Sequence, residues 1–177
     1  ARNVCFHASD EVIKGDASIL GMFNLNAEKS RGLDFGCGSA PIGFELAKRG
    51  NHVDFIDVPG SYAEDFVKWR CKKHGIDAGF NLNGKVEIYD WILFMDSIEH
   101  IPEHELKTLI SSLIKKLKPG GSIITNYFYI GEDKENVQHI TMDHQFVKDL
   151  FIENDVYPAT KIRWVKDATL VNTDTNG

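Results

Sequence analysis

A chain of 177 residues with 42% hydrophobic and 26% charged side chains has the make-up of an ordinary soluble globular domain, which excludes disordered, collagen-like and coiled-coil classes. Its 20 lysines and arginines against 26 acids give a formal charge of -6, so no net basic field exists to hold a phosphate backbone and nucleic acid is disfavoured as a partner. Cys5, Cys37 and Cys71 lack CxxC spacing, which argues against a disulfide framework or a zinc cage and for a reducing, cytoplasmic setting; no apolar run approaches a membrane span. The start at Ala1 rather than Met reads as a processed product or a piece of a longer chain.

Residues 1–31 fit no strand–helix alternation, yet Val12, Ile13, Ile19, Leu20, Met22 and Phe23 are too apolar for a free tail, so the segment reads as a cap. From residue 32 to 177 strand-like runs alternate with segments of helical period, the pattern of a parallel sheet covered by helices. Gly32 to Phe35 is a first strand, and Pro41 opens a helix with Ile42, Leu46 and Ala47 on one face, stopped by Gly50. His52 to Asp57 is a second strand. Ser61 with Glu64 forms a capping box for a second helix bearing Phe66, Val67, Arg70 and Cys71, ended by Gly75. A third strand is expected between Ile76 and Tyr89, a stretch interrupted by Asn81, Asn83 and Gly84.

Tyr89 to Asp96 suits a central strand buried on both faces. Pro102 then starts a helix with Leu106, Leu109, Ile110, Leu113, Ile114 and Leu117 on one stripe, terminated by Pro119, Gly120 and Gly121. Ser122 to Tyr129 is a strand, Thr141 to Glu153 a helix, and Thr160 to Asn172 a strand pair broken near Lys166 and Asp167. Trp69 and Trp164 are assigned to packing.

The segment Leu33-Asp34-Phe35-Gly36-Cys37-Gly38-Ser39-Ala40 sets glycines where a strand turns into a helix, so a ligand can approach backbone closely. Such a turn alone also suits a plain loop. Asp57 follows Gly38 by 19 residues, about where an acid accepts hydrogen bonds from ribose hydroxyls. A dinucleotide fingerprint wants glycine at 41, and Pro41 there disfavours NAD and a nucleotide-dependent oxidoreductase. The run Asp90 to Pro102 delivers polar groups at a strand's C-terminal end, where open α/β sheets bind ligands.

With these pieces and Leu117-Lys118-Pro119-Gly120-Gly121, the chain resembles the class I S-adenosylmethionine-dependent methyltransferases of small-molecule type, with their DxGCGxG turn and DxxEHIP strand end. The resemblance implies a Rossmann-like seven-stranded sheet of order 3-2-1-4-5-7-6 with helices on both faces and an antiparallel last strand. It implies that Asp34, Gly36, Cys37 and Gly38 hold the methionine end of the cofactor, Asp57 the ribose and Val58 the adenine, while Met95, Asp96 and Ser97 line the site beside the amino acid moiety. Ala40 stands in for the usual third glycine. Only 33 residues separate Asp57 from Asp90, leaving no clear acid for the adenine amino group and Asn81 or Asn83 as its substitute.

Methyl transfer from a sulfonium asks mainly for positioning in a dry site, and a hydroxyl acceptor also needs a base. His100 is the candidate base; it also reads as a brace for the helix that follows. Asp96, Glu99 and His100, with His139 or His144, form an alternative site for a divalent ion. Thr141 reads as an N-cap, and Tyr127, Phe128 and Tyr129 as acceptor pocket or core. The strand end Asp96-Ser97-Ile98-Glu99 replaces the N/D-P-P-Y/F sequence of base and glutamine methylases. The expected function is therefore methyl transfer to a small-molecule acceptor, oxygen favoured over nitrogen or carbon. A catalytically silent binding module and a metal-assisted ribose 2′-O-methylase are the alternatives.

Overall fold

The structure is a computed structural model that describes residues 21, 29–80, 88–126, 143–167 and 169. The chain divides between Lys85 and Val86 into two compact units. In the first, β1 (Arg31–Phe35) pairs in parallel with β2 (His52–Ile56), and α1 (Pro41–Lys48) connects them. Leu33, Val53 and Phe55 are buried to about 1% exposure or less, while α1 contributes Ile42, Phe44 and Leu46 to the same core. The second helix, α2, spans Tyr62–His74.

Ser61 caps α2 by accepting the Glu64 N–H at 3.1 Å. The reciprocal half of the expected capping box is displaced by one residue, since the Glu64 carboxylate accepts from Gly60 N–H at 2.7 Å while Ser61 N–H goes to the Val58 carbonyl. Gly75 ends the helix with φ 65°, the left-handed cap that glycine adopts without a Cβ penalty. Of the expected third strand, the described residues contain one parallel bridge from Gly79 to Asp54, with Phe55 N–H donating to Gly79 O at 2.8 Å. Asn81 and Asn83 lie outside the described residues. Asp54 explains the glycine: a Cβ at Gly79 would overlap its carboxylate, which is buried and paired with Arg31 at 2.9 Å.

The second unit is a mixed four-stranded sheet of order β3-β4-β6-β5, with β3 Tyr89–Phe94, β4 Leu117–Thr125, β5 Val156–Pro158 and β6 Arg163–Lys166. β3 and β4 run parallel; β6 is reversed, antiparallel to both β4 and β5. Helix α3 (Glu103–Lys115) buries Leu106, Ile110, Leu113 and Ile114, and α4 (His144–Ile152) buries Val147, Leu150 and Phe151. Among the described residues no helix is long and apolar enough to cross a membrane.

Several boundaries differ from expectation. Leu117 belongs to β4 rather than to the helical stripe, and Pro119, Gly120 and Gly121 sit inside that strand instead of ending a helix. The register explains this: Tyr89 faces Leu117 but Trp91 faces Ser122, so the intervening β4 residues bulge out, where a proline without N–H is tolerated. The cap of α4 is Asp143, which accepts from Gln145 N–H at 2.8 Å; Thr141 is outside the described residues, as are Tyr127, Phe128 and Tyr129. β6 pairs with β5, which precedes it, and the strand expected after Asp167 falls almost wholly outside the described residues. Trp164 packs in the core against Phe151, ring centroids 4.9 Å apart, as expected. Trp69 does not: it is 53% exposed, stacked on Phe66 with Lys73 over its face.

Candidate active site

The site residues read from the sequence fall into two groups, one in each unit. In the first, β1 delivers Asp34 and runs into the glycine turn, and Asp57 directly follows Ile56, the last residue of β2. The turn is folded by its own amides. Gly36 and Cys37 N–H both donate to Ile56 O, at 2.8 and 3.0 Å, Gly38 N–H donates to Asp57 Oδ2 at 2.7 Å, and Ala40 N–H donates to Cys37 O at 2.6 Å. Three residues take left-handed φ, namely Gly36 (68°), Gly38 (53°) and Ala40 (52°). Glycine makes the first two free of penalty. Ala40, in the place of the third glycine, carries about 1 kcal/mol of strain or more.

Asp34 is buried, and its carboxyl accepts the N–H of Gly43 in the first turn of α1. Ala40, the N-cap, offers no side-chain bond and Pro41 has no N–H, so a strand residue provides the cap that the helix start lacks. Gly43 is the only residue type that permits this, because a Cβ there would overlap the Asp34 carboxyl and lie 2.9 Å from the Phe55 ring. Burial pushes the Asp34 pKa up to about 8, opposed by the Gly43 N–H and reinforced by the charge of Asp57. Burial, with Asp34 and Asp57 nearby, also drives the Cys37 thiol far upward, so it stays protonated and is no nucleophile.

The raised Asp34 pKa has a signed consequence. Between about pH 4 and 8 the unfolded carboxylate has lost its proton while the folded one retains it, so stability falls as pH rises through that window and is flat on either side. Asp34→Asn cannot ionise. In urea unfolding at pH 5 and pH 8, the wild type is expected to lose up to about 4 kcal/mol relative to this variant, three pH units at about 1.4 kcal/mol each.

Asp57 is half-buried and turned toward the glycine turn by two backbone donors, Gly38 N–H on Oδ2 and Val58 N–H at 2.8 Å on Oδ1. A carboxylate offers about four lone-pair sites, which leaves capacity for two further donors such as a vicinal diol. Val58 beside it is 70% exposed, and among the described residues a Cβ on Gly38 would meet no heavy atom within 4 Å. Among the described residues the turn thus has an open face, an acceptor acid and an exposed apolar neighbour.

Those amide bonds also select the ligand class. A phosphate cradle needs free N–H groups at the turn and helix start. Here Gly36, Cys37, Gly38 and Ala40 have spent theirs inside the chain, and Gly43 N–H faces a carboxyl. These four amides are therefore not available to a phosphate, whereas the Asp57 carboxylate keeps acceptor sites open.

In the second unit, β3 ends at Phe94, and the chain turns sharply because Asp96 adopts φ 47°. Asp96 and Asn126 bond reciprocally across the tips of β3 and β4: Asp96 N–H donates to Asn126 Oδ1 at 2.7 Å, and Asn126 Nδ2 donates to the Asp96 carboxylate. Met95 is half-buried, and Ser97 is buried with Oγ donating to Met95 O at 2.8 Å. A single 3-10 turn, Ile98–His100, follows; it buries Ile98 and leaves His100 on the exposed side, two residues before Pro102, whose carbonyl receives the first amides of α3. Among the described residues no three His, Cys, Asp or Glu side chains converge as metal ligands, and His139 lies outside them. Arg70, Gly43 and Asn126 went unassigned from sequence. Gly43 alone carried a signal, a glycine within a helical pattern.

A strand–glycine-turn–helix unit with an acid after the next strand, and polar groups at the C-terminal end of a buried parallel strand, are the elements of a Rossmann-like α/β fold. Profile comparison then gives the family: residues 14–167 match the methyltransferase domain, and the chain belongs to that family. Its fold is that of the class I S-adenosylmethionine-dependent methyltransferases. The chain is similar to magnesium protoporphyrin IX methyltransferase from Synechocystis PCC 6803, solved with SAH (S-adenosylhomocysteine) bound, at TM-score 0.68 and 16% identity over 87% of this chain and 83% of that one. It is also similar to the PH0226 protein of Pyrococcus horikoshii OT3, at TM-score 0.66 and 17% identity over 89% and 90%. Among curated proteins it is 27% identical over 108 residues to the ubiquinone biosynthesis O-methyltransferase of Xylella fastidiosa strain 9a5c, over 55% of this chain. The chain spans only 41% of that relative's length.

Proposed function

We propose that the chain binds S-adenosylmethionine through Asp34, Gly36, Cys37 and Gly38 of the glycine turn together with Asp57, and catalyses methylation of a hydroxyl oxygen on a small molecule. The observation that carries the reading is the turn itself, in which the Gly36, Cys37, Gly38 and Ala40 amides are spent internally while Asp57 keeps acceptor capacity. Bound S-adenosylmethionine supplies an electrophilic methyl group on a sulfonium sulfur. Asp57 accepts from the ribose hydroxyls, Val58 covers the adenine, Gly36 to Gly38 with Asp34 fix the methionine end, and Met95, Asp96 and Ser97 flank the amino acid moiety. His100 takes the proton from the acceptor hydroxyl onto a ring nitrogen. Oxygen as the acceptor atom is supported by the exposure of His100 and by the O-methyltransferase relatives. The complete seven-stranded sheet of order 3-2-1-4-5-7-6, a capping role for residues 1–31 ahead of a domain spanning 32–177, and a cytoplasmic setting belong to the same reading.

The test uses methyl-labelled S-adenosylmethionine with a catechol as the hydroxyl-bearing probe and an aromatic amine beside it. Label is expected on oxygen. His100→Ala should lower kcat by about 100-fold or more, with affinity for S-adenosylhomocysteine within about 2-fold of wild type. Label on nitrogen alone, or a His100→Ala enzyme at wild-type rate, contradicts the proposal.

A further inference from the structure

We infer that Arg70 is a positioning residue for cofactor binding, which holds the glycine turn in its left-handed conformation at Ala40 by clamping the Ser39–Ala40 peptide. The inference rests on the reading that this turn carries S-adenosylmethionine.

Arg70 comes from α2, distant in sequence from the turn, and its Nη1 donates to the Ser39 carbonyl. The guanidinium carbon lies 3.8 Å from the Phe44 ring centroid, so the fork is oriented by stacking on α1. Phe66, one helical turn earlier on α2, stands 5.6 Å from the same guanidinium. Arg70 is half-buried, which strengthens its bond to a carbonyl relative to an exposed arginine.

The bond falls where the backbone needs it. φ of Ala40 depends on how the Ser39–Ala40 peptide plane is set, and that plane is held at both ends: its N–H by Cys37 O at 2.6 Å and its C=O by Arg70. A left-handed non-glycine residue persists only where its surroundings over-determine it. With glycine at 40 the turn would keep this shape unaided. With alanine it needs a clamp, and Arg70 supplies one. The shape matters because the same turn sets the Gly38 N–H against Asp57 at 2.7 Å and so aims the carboxylate.

A double-mutant cycle read by calorimetric titration of the whole chain with S-adenosylhomocysteine tests this, with thermal unfolding alongside and Asp57→Ala as control. Arg70→Ala is expected to raise Kd about 10-fold or more, and Arg70→Lys, which keeps a cation over Phe44 but loses the fork, to fall between. Ala40→Gly alone should stay near wild type. In the Ala40→Gly background, Arg70→Ala should cost less than about 3-fold, because the two residues act on one peptide. Unchanged affinity in Arg70→Ala, or an equal fold loss in both backgrounds, overturns the inference; a merely structural arginine lowers the melting temperature without that coupling. If Arg70→Ala does not fold, Arg70→Lys in the two backgrounds gives the same comparison. Normal binding by Asp57→Ala overturns the cofactor reading itself, whereas loss there with none in Arg70→Ala overturns only the clamp.

Discussion

Asp57→Ala is expected to weaken S-adenosylhomocysteine binding by at least about 100-fold while the chain stays folded. Each charge-assisted hydrogen bond to a ribose hydroxyl contributes on the order of 1.5–3 kcal/mol, and about 1.4 kcal/mol is tenfold in Kd, so losing two exceeds that factor. The variant also releases Gly38 and Val58 N–H, bonded at 2.7 and 2.8 Å, which loosens the turn. Folding survives because Asp57 is half-buried at a strand end and its backbone partners become accessible to water. Asp57→Asn should recover part of the loss, since one acceptor oxygen remains. Titration calorimetry with circular dichroism as the folding control measures both. Wild-type affinity in Asp57→Ala would remove this acid from the site.

Gly43→Ala is the change expected to cost most stability. Two effects oppose each other: alanine favours a helix over glycine by about 1 kcal/mol, while the added Cβ overlaps the Asp34 carboxyl and comes within 2.9 Å of the Phe55 ring. Overpacking of this kind costs about 1–3 kcal/mol, and the displaced Asp34 also gives up the Gly43 N–H, at about 1–3 kcal/mol for a buried polar group. The clash wins. A net loss of about 2–4 kcal/mol, or roughly 5–10 °C in melting temperature, should appear in thermal unfolding. In an Asp34→Ala background the penalty should shrink by more than half, because its main collision partner is gone. An equal penalty in both backgrounds would place the strain elsewhere.

The parts of the fold that were legible in the sequence were those whose signals are local. Pro41 and the apolar spacing of Ile42 and Leu46 mark α1, and Ser61 three residues before Glu64 marks α2. The β3 run is continuous and apolar because nearly all its residues are buried. What escaped depends on partners distant in the chain. Leu117 to Gly121 reads as a helix end, since Pro-Gly-Gly usually terminates a helix; only pairing with β3 makes it a bulged strand. β5 is three residues long, too short for alternation to show. Arg70 sits at helical spacing among apolar residues, and nothing local says that it reaches Ser39, 31 positions away.

The candidate site divides in the same way. The turn, Asp57 and the strand end to His100 stand out by residue type and spacing. The state of the turn's amides does not, because it follows from β2 lying beside β1 and offering the Ile56 carbonyl and the Asp57 carboxylate. Pro41 disfavours a dinucleotide on sequence grounds, and the internally bonded amides of Gly36, Cys37, Gly38 and Ala40 point the same way.

The most direct measurement is a calorimetric titration of the wild-type chain with S-adenosylhomocysteine, paired with an identical titration using NAD. Saturable one-site binding of S-adenosylhomocysteine, with no binding of NAD at the same concentrations, is the predicted result. Absence of S-adenosylhomocysteine binding at millimolar ligand, or binding of NAD in its place, would contradict the account.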